Sequence, residues 1–237
     1  MKYLNHRELE AIAFKILDKY RELPEVKNST IYRVEPELLL SKVLNLKLIH
    51  THLSLDNSIL GMTAKTNALV EVFEEDDTSI ATVLDNNTIF IEKDLKDDLR
   101  QRGRYNFTVM HECSHQILNR MFPEDDYIQG PVHFSRIDAI YSPDEVMEER
   151  QANALAAELL MPYSVIVNGM SLFGLGKKIR CLNRIHFKTD YKKYCALADF
   201  LGVSKTALAI RMKQLGLLER EYLRNPQDML DIMMEVD

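Results

Sequence analysis

The sequence predicts an α+β fold, in which a small, largely antiparallel sheet packs with helices and a helical part follows toward the C-terminus. Three observations lead to this prediction. Short strand-like runs are concentrated between residues 46 and 91. Apolar residues recur at helical spacing before and after that region. The chain has 237 residues and is 46% hydrophobic, which is enough to form a core in one large domain or two small ones.

The first element is predicted to be an amphipathic helix that ends near Pro24. Asn5 is a candidate cap, and Glu8 follows it at the spacing of a capping box. Apolar residues then recur at helical spacing: Leu9, Ile12, Ala13, Ile16 and Tyr20. We assign residues 1–30 to an N-terminal helical extension, which packs locally or meets a partner.

The next region is predicted to contain a second helix and four strands. The helix covers residues 36–44, and the strand-like runs are residues 46–53, 68–73, 80–84 and 88–91. The turn-rich segment Asp85-Asn86-Asn87 is predicted to join the last two strands as a hairpin. A free edge of such a sheet offers a place where an extended peptide can bind as an added strand.

A metal-binding pattern lies in the helix predicted for residues 107–118. His111 and His115 are four residues apart, so both imidazoles project from one helix face, one turn apart. Glu112 lies beside that face. Zinc binds imidazole nitrogens, and a nearby carboxylate can take a proton from a bound water whose pKa has fallen to about 7. This His-Glu-x-x-His pattern therefore predicts hydrolysis, with Glu112 as the base.

A third protein ligand is expected, because two histidines leave a tetrahedral zinc incomplete. The segment Ser142-Pro143-Asp144-Glu145 has the pattern of a capping box and predicts a helix that stops before Pro162. Glu149 and Asn153 share one face of it, so one can bind the metal while the other hydrogen-bonds a ligating histidine. Spacing alone leaves Glu148 open as the ligand, and a solvated helix face is the alternative for both glutamates.

Residues 121–141 are predicted to form a loop between the two metal-bearing helices, because the segment contains Pro123, Gly130 and Pro131. A loop in this position borders the expected cleft. It supplies three candidates for stabilising the oxyanion that forms when water attacks a peptide carbonyl. These candidates are Tyr127, His133 and Tyr141.

The two helical motifs together resemble those of the ImmA/IrrE family of metallo-endopeptidases. The second motif is a long match: Glu149-Arg150-Gln151-Ala152-Asn153-Ala154-Leu155-Ala156-Ala157-Glu158-Leu159-Leu160-Met161-Pro162. Around the first motif, the chain has Asn106, Met110 and Ser114 where the family commonly has Arg, Ala and Gly. None of these three departures falls on a ligand position.

The resemblance implies a zinc endopeptidase with one Zn²⁺ per chain. His111, His115 and Glu149 are then the zinc ligands, and Glu112 is the catalytic base. Family members resemble proteases that inactivate helix-turn-helix repressors in stress responses and mobile elements. The expected partner is therefore a protein substrate, namely a transcriptional repressor. We assign residues 31–170 to the metallopeptidase core.

Positive charge is concentrated in residues 174–221, which carry 11 Lys or Arg and 4 Asp or Glu, although the whole chain has a net charge of −6. Residues 196–208 resemble a helix-turn-helix, with Gly202 at the turn and Ser204 capping the second helix. The alternative function is thus a DNA-binding or repressor-binding regulator that does not cut its partner. A similar segment commonly follows the peptidase core in the family, which favours packing or protein recognition. We assign residues 171–237 to this basic region and its tail.

The expected location is the cytoplasm, without a membrane partner. The N-terminus lacks the apolar stretch of a secretory signal, and no apolar run approaches the length of a transmembrane helix. Cys113, Cys181 and Cys195 are an odd number without zinc-finger spacing, so a disulfide framework is not expected.

Overall fold

The computed structural model describes residues 3–29, 33–123, 132–136 and 142–227. Contacts divide the chain into two compact units. The first unit comprises Met1–Ser29 with Val34–Leu160, and the second comprises Thr30–Arg33 with Met161–Asp237.

The first unit begins with helix α1, His6–Arg21, whose start confirms the predicted capping box. The Asn5 side chain accepts a hydrogen bond from the Glu8 backbone N–H, and the Asn5 N–H donates to Glu8 Oε2 at 2.8 Å. The buried face consists of Leu9, Ile12, Ala13, Leu17 and Tyr20. Helix α1 packs against a later helix of the same unit, and just before α1 the Leu4 N–H donates to Gln151 Oε1 of that helix at 2.7 Å.

Helix α2 starts at Pro36 and continues beyond Leu38 as a π-helical turn over Leu39–Val43, which confirms the predicted second helix. Six strands belong to the first unit: β1 Lys47–Thr51, β2 Ile59–Ala64, β3 Ala68–Phe73, β4 Ser79–Leu84, β5 Thr88–Glu92 and β6 Val132–Arg136. Four of them form one sheet in the order β1-β5-β2-β6. Strands β1 and β5 are parallel, whereas β2 is antiparallel to both β5 and β6, so this sheet is mixed. Strands β3 and β4 form a separate hairpin.

The predicted hairpin between the third and fourth strand-like runs is wrong. Strand β4 pairs with β3, while β5 lies between β1 and β2 in the four-stranded sheet. All five residues of β5 are buried, as expected for a central strand with both faces covered. The turn at Asp85-Asn86-Asn87 therefore carries the chain from one sheet to the other.

Strands β2 and β6 were not predicted from the sequence. The last four residues of β2 are all buried, so the strand lacks the alternation that identifies a half-exposed strand. Strand β6 lies within residues 121–141, which were interpreted as a loop, and this part of the interpretation is wrong. Its sequence alternates apolar residues with His133 and Ser135. Because His133 is buried and Ser135 is partly buried, the polar residues of this strand do not identify a face exposed to solvent.

Two long helices complete the first unit, after the short helix α3, Lys93–Asp97, and a 3₁₀ turn, Leu99–Gln101. Helix α4, Arg102–Met121, packs on β2 and β5 of the four-stranded sheet and lies beside α5, Pro143–Leu160. An apolar cluster joins β2 and β5 to the β3–β4 hairpin. Its buried members are Leu53, Met62, Ala64, Val70, Val72, Leu84 and Phe90.

The second unit contains three helices and a strand pair within its described residues. The helices are α6 Tyr163–Leu172, α7 Lys188–Leu201 and α8 Lys205–Gln214, and the parallel strands are β7 Ile179–Leu182 and β8 Leu218–Glu221. Gly202 ends α7 with φ +66°, a left-handed conformation that glycine adopts without strain. The Ser204 side chain caps α8 by accepting from the Ala207 N–H at 3.1 Å.

Among the described residues, no single helix has both the length and the apolar character needed to cross a membrane. Taken together, the helices at Glu145–Leu160 and Tyr163–Leu172 have the required length and composition. Core helices of globular proteins commonly meet the same two criteria.

Candidate metal centre

The two histidines of the His-Glu-x-x-His pattern are buried and face each other on α4. His111 Nε2 lies 3.0 Å from His115 Nε2, as expected for side chains one helical turn apart. Helix α4 is fixed against the sheet by Gln116, whose Nε2 donates to Thr63 Oγ1 and to the Ala64 carbonyl. The imidazoles are therefore held by a buried helix rather than by a loop.

Helix α5 brings Glu149 to these imidazoles. Its Oε2 lies 3.4 Å from His111 Nε2, and its Oε1 lies 3.5 Å from His115 Nε2. The start of this helix is the predicted capping box, in which the Ser142 N–H donates to Glu145 Oε2 at 2.7 Å. The structure thus brings together the three residues proposed as ligands, although they are up to 38 positions apart in the sequence.

These side chains fit a divalent ion. Four donors placed tetrahedrally at about 2.0–2.1 Å from a zinc ion lie about 3.3–3.4 Å from one another. The two Nε2 atoms are 3.0 Å apart, and each lies at a similar distance from one Glu149 oxygen: 3.4 Å from Oε2 for His111 and 3.5 Å from Oε1 for His115. His111 Nδ1 faces Asn153 Oδ1 at 3.1 Å, so the proton belongs on Nδ1 and a lone pair is left on Nε2.

Two further side chains of α5 orient the histidines from behind. Asn153 Oδ1 contacts His111 Nδ1. Glu148 is buried, and its Oε1 lies 3.2 Å from His115 Nδ1, the ring nitrogen that faces away from Glu149. Partners of this kind fix the tautomer of a metal-binding imidazole. Glu148 therefore lies behind His115, whereas Glu149 faces the Nε2 atoms of both histidines.

Glu112 is fully buried between α4 and the strands β2 and β6. Ser135 Oγ donates to its Oε1, and His133 Nδ1 lies 3.6 Å from its Oε2. Gly61 of β2 makes room for this carboxylate, because a Cβ at that position would lie only 2.8 Å from Glu112 Oε1. The candidate base is therefore held in one position next to the candidate ligands.

His133 is the fourth member of the donor cluster. Its Nε2 lies 2.5 Å from Glu149 Oε1, and its ring centroid lies 3.7 Å from that of His115. Potential ligand atoms of His111, His115, His133 and Glu149 all lie within 4.8 Å of one another. The sequence interpretation included His133 only as an oxyanion candidate, because the strand that carries it was not recognised. The other two candidates, Tyr127 and Tyr141, lie outside the described residues.

The charges in the cluster favour metal binding. Burial, assisted by the neighbouring His115, lowers the pKa of His111 to about 4, so its imidazole is neutral near pH 7. Burial alone would raise the pKa of Glu149, but hydrogen bonds with His115 and His133 outweigh it and hold this pKa far below its usual range. The pKa of Glu112 is also lowered, since contact with His133 outweighs burial. A neutral imidazole and ionised carboxylates are the forms that bind a cation.

Comparison with known protein families gives a match over the central part of the chain. The IrrE N-terminal-like domain of the peptidase M78 family matches residues 67–213, which is more than half of the chain and includes α4, β6 and α5. No match was found among curated proteins.

Proposed function

The chain belongs to the peptidase M78 family of metallopeptidases, and on this premise we propose that it is a zinc-dependent endopeptidase that cleaves a regulatory protein. The observation that carries the proposal is the convergence of His111, His115 and Glu149 from two helices, with Glu112 beside them. Family membership agrees with the resemblance of the two helical motifs. The choice of zinc follows from the donor set, since zinc commonly binds two imidazoles and a carboxylate in hydrolytic sites.

In the proposed reaction His111, His115 and Glu149 hold the ion. When bound, zinc supplies Lewis acidity, which polarises a peptide carbonyl and lowers the pKa of water. The Glu112 carboxylate accepts a proton from the attacking water and then delivers it to the leaving nitrogen. The lowered pKa of Glu112 keeps this carboxylate ionised and ready to accept the proton.

We assign His133 to stabilisation of the oxyanion that forms during attack. Burial lowers the pKa of His133, but hydrogen bonds with Glu112 and Glu149 outweigh it and raise this pKa to about 10. When protonated, this imidazole donates hydrogen bonds, which is the form that stabilises an oxyanion. We expect His133→Ala to retain zinc and to lose turnover. A large loss of zinc affinity in this variant would instead make His133 a fourth ligand.

The proposed substrate is a helix-turn-helix transcriptional repressor. This part of the proposal is supported only by the resemblance to proteases that act on such repressors. It can be tested in cells that make either the wild-type protein or Glu112→Gln, by mass spectrometry of all new protein N-termini. Glu10→Gln, on the exposed face of α1, is the matched control.

We expect new N-termini that appear with the wild type and with Glu10→Gln but not with Glu112→Gln, and that map to helix-turn-helix regulators. New termini that map to other proteins would overturn the substrate class and keep the peptidase. New termini that are identical in wild type and Glu112→Gln would overturn the peptidase proposal itself.

A second candidate function is DNA or repressor binding by the second unit without proteolysis. Several basic side chains of that unit are exposed, including Lys177, Arg180, Arg184 and Lys188. Arg211 is not among them, because it is only 3% exposed and its Nε donates to the Met161 carbonyl at 3.1 Å. DNA binding would show retardation at low salt that weakens steeply as salt rises. No retardation at low salt would remove the DNA-binding candidate.

A further inference from the structure

An apolar cavity of about 770 Å³ lies in the first unit, between the four-stranded sheet and the β3–β4 hairpin. Its lining consists mainly of Leu, Ile, Met, Val and Phe side chains. Leu55 and Leu69 line it and are 63% and 73% exposed, so the cavity opens to solvent. Cavities of about 300–1,000 Å³ with a mainly apolar lining are typical of binding sites.

Strand β6 forms a wall shared by the cavity and the metal centre. Val132 and Phe134 line the cavity. The residues that alternate with them, His133 and Ser135, contact the two carboxylates of the metal centre. Successive side chains of a strand point to opposite faces of a sheet. The cavity and the metal centre therefore lie on opposite faces of the same strand.

Strand β6 is also the last strand in the sheet order, and within the described part of the chain it pairs with β2 alone. An extended peptide can pair with an edge of this kind through its backbone. The side chains of that peptide would alternate between the two faces as those of β6 do. Every second side chain would then lie beside the metal centre, and the others would lie beside Val132 and Phe134 at the cavity.

We propose that this cavity is a side-chain pocket for the substrate, which binds apolar side chains at alternate positions of an extended segment paired with β6. The inference rests on the proposed peptidase function and specifies its substrate class: protein segments that are extended near the cleaved bond and carry an apolar residue at every second position. Asp56 and Glu71, which also line the cavity, make acidic side chains unfavourable at these positions.

The test uses zinc-loaded Glu112→Gln protein, so that binding is measured without turnover. Two short fluorescent peptides serve as probes, each with Thr at every second position and Lys at both ends. One peptide has Leu at the remaining positions and the other has Ser. We expect the Leu peptide to bind at least about tenfold more tightly by fluorescence anisotropy. It should also slow amide hydrogen exchange in Val132–Arg136, because pairing protects the backbone of the edge strand.

Leu69→Glu in the same background places a carboxylate at the cavity opening. We expect it to weaken binding of the Leu peptide about tenfold and to leave binding of the Ser peptide unchanged. Leu55→Glu is a second variant with the same expected effect. Leu99→Glu is the matched control, because Leu99 is 84% exposed and is not part of the cavity lining. Equal binding of the two peptides, or equal binding by Leu69→Glu and Leu99→Glu, would overturn the pocket.

Failure of the pocket can be distinguished from failure of the peptidase. If the wild type shows no Glu112-dependent cleavage but the Leu peptide binds selectively and protects β6, the peptidase proposal falls and the pocket stands as a peptide-binding site. If cleavage is found and its sites have no apolar residues at alternate positions, the pocket falls and the peptidase stands.

Discussion

The two compact units both bury charged or polar side chains, but they satisfy them differently. In the second unit, Arg211 donates to a backbone carbonyl, and Asn183 Nδ2 donates to the Pro226 carbonyl at 2.7 Å. In the first unit, buried imidazoles and carboxylates face one another instead, with His111 Nε2 and His115 Nε2 3.0 Å apart. Buried polar groups that donate hydrogen bonds to backbone carbonyls stabilise a fold. Buried groups that direct lone pairs toward one point indicate an ion.

The largest expected effect is a loss of catalysis, which should follow a substitution in the first unit but not a matched one in the second. Glu112→Gln should lower kcat/KM for the cleaved substrate by about a thousandfold, because general base catalysis contributes about 10²–10⁴-fold. Its zinc content should not change. Glu219→Gln in the second unit is the matched control, since Glu219 lies on the surface and forms an ion pair with Lys178. Full activity of Glu112→Gln would remove Glu112 from the mechanism.

Metal removal should destabilise the first unit alone. An ion present at about 100–1,000 times its dissociation constant stabilises the form that binds it by about 3–4 kcal/mol. After chelation, hydrogen exchange should therefore accelerate in α4 and α5, with little change in α8. Addition of zinc should reverse the effect. Equal acceleration in both units, or none in either, would contradict the comparison.

Arg211→Met should destabilise the second unit and leave the first unit unchanged. It removes a buried donor from the Met161 carbonyl, and we expect a loss of about 2 kcal/mol in the free energy of unfolding of the second unit. Zinc content should stay unchanged. Lys213→Met is the matched control, because Lys213 is exposed on the same helix and its contact with Glu221 is a surface pair. Denaturant titration should show a shift only for Arg211→Met.

The smallest effects are expected when a glycine is replaced by alanine, once in each unit. Gly61→Ala should lower activity about tenfold and retain zinc, because the new Cβ would meet Glu112 Oε1 at 2.8 Å and displace the base. Gly216 has φ +70°, and nothing lies within 4 Å of the position that a Cβ would occupy. Gly216→Ala should therefore cost about 1 kcal/mol of stability through backbone strain and leave activity unchanged. Equal activity losses at both glycines would contradict this explanation.

Local signals predicted the parts of the molecule that depend on neighbouring residues. The capping boxes at Asn5 and Ser142 placed the starts of α1 and α5 correctly, because both partners lie within three residues. Helical periodicity likewise placed His111 beside His115, and it put Glu149 and Asn153 on one face of α5.

Pairing between distant segments could not be predicted in the same way. The parallel contact of β1 with β5 joins segments about 40 residues apart, and no local pattern specifies it. Strand β6 was missed although its sequence alternates apolar and polar residues, because it has only five residues and directly follows Gly130 and Pro131 in a segment interpreted as a loop. The position of His133 against Glu149 depends on the pairing of β6 with β2, and it became visible only in the structure.

The most direct test of the metal centre is the zinc content of four purified proteins: wild type, His111→Ala, Glu149→Ala and His186→Ala. His186 is exposed in the second unit and serves as the control. We predict about one zinc per chain in the wild type and in His186→Ala, and far less in the other two variants. The same zinc content in all four proteins would contradict the assignment of His111 and Glu149 as ligands.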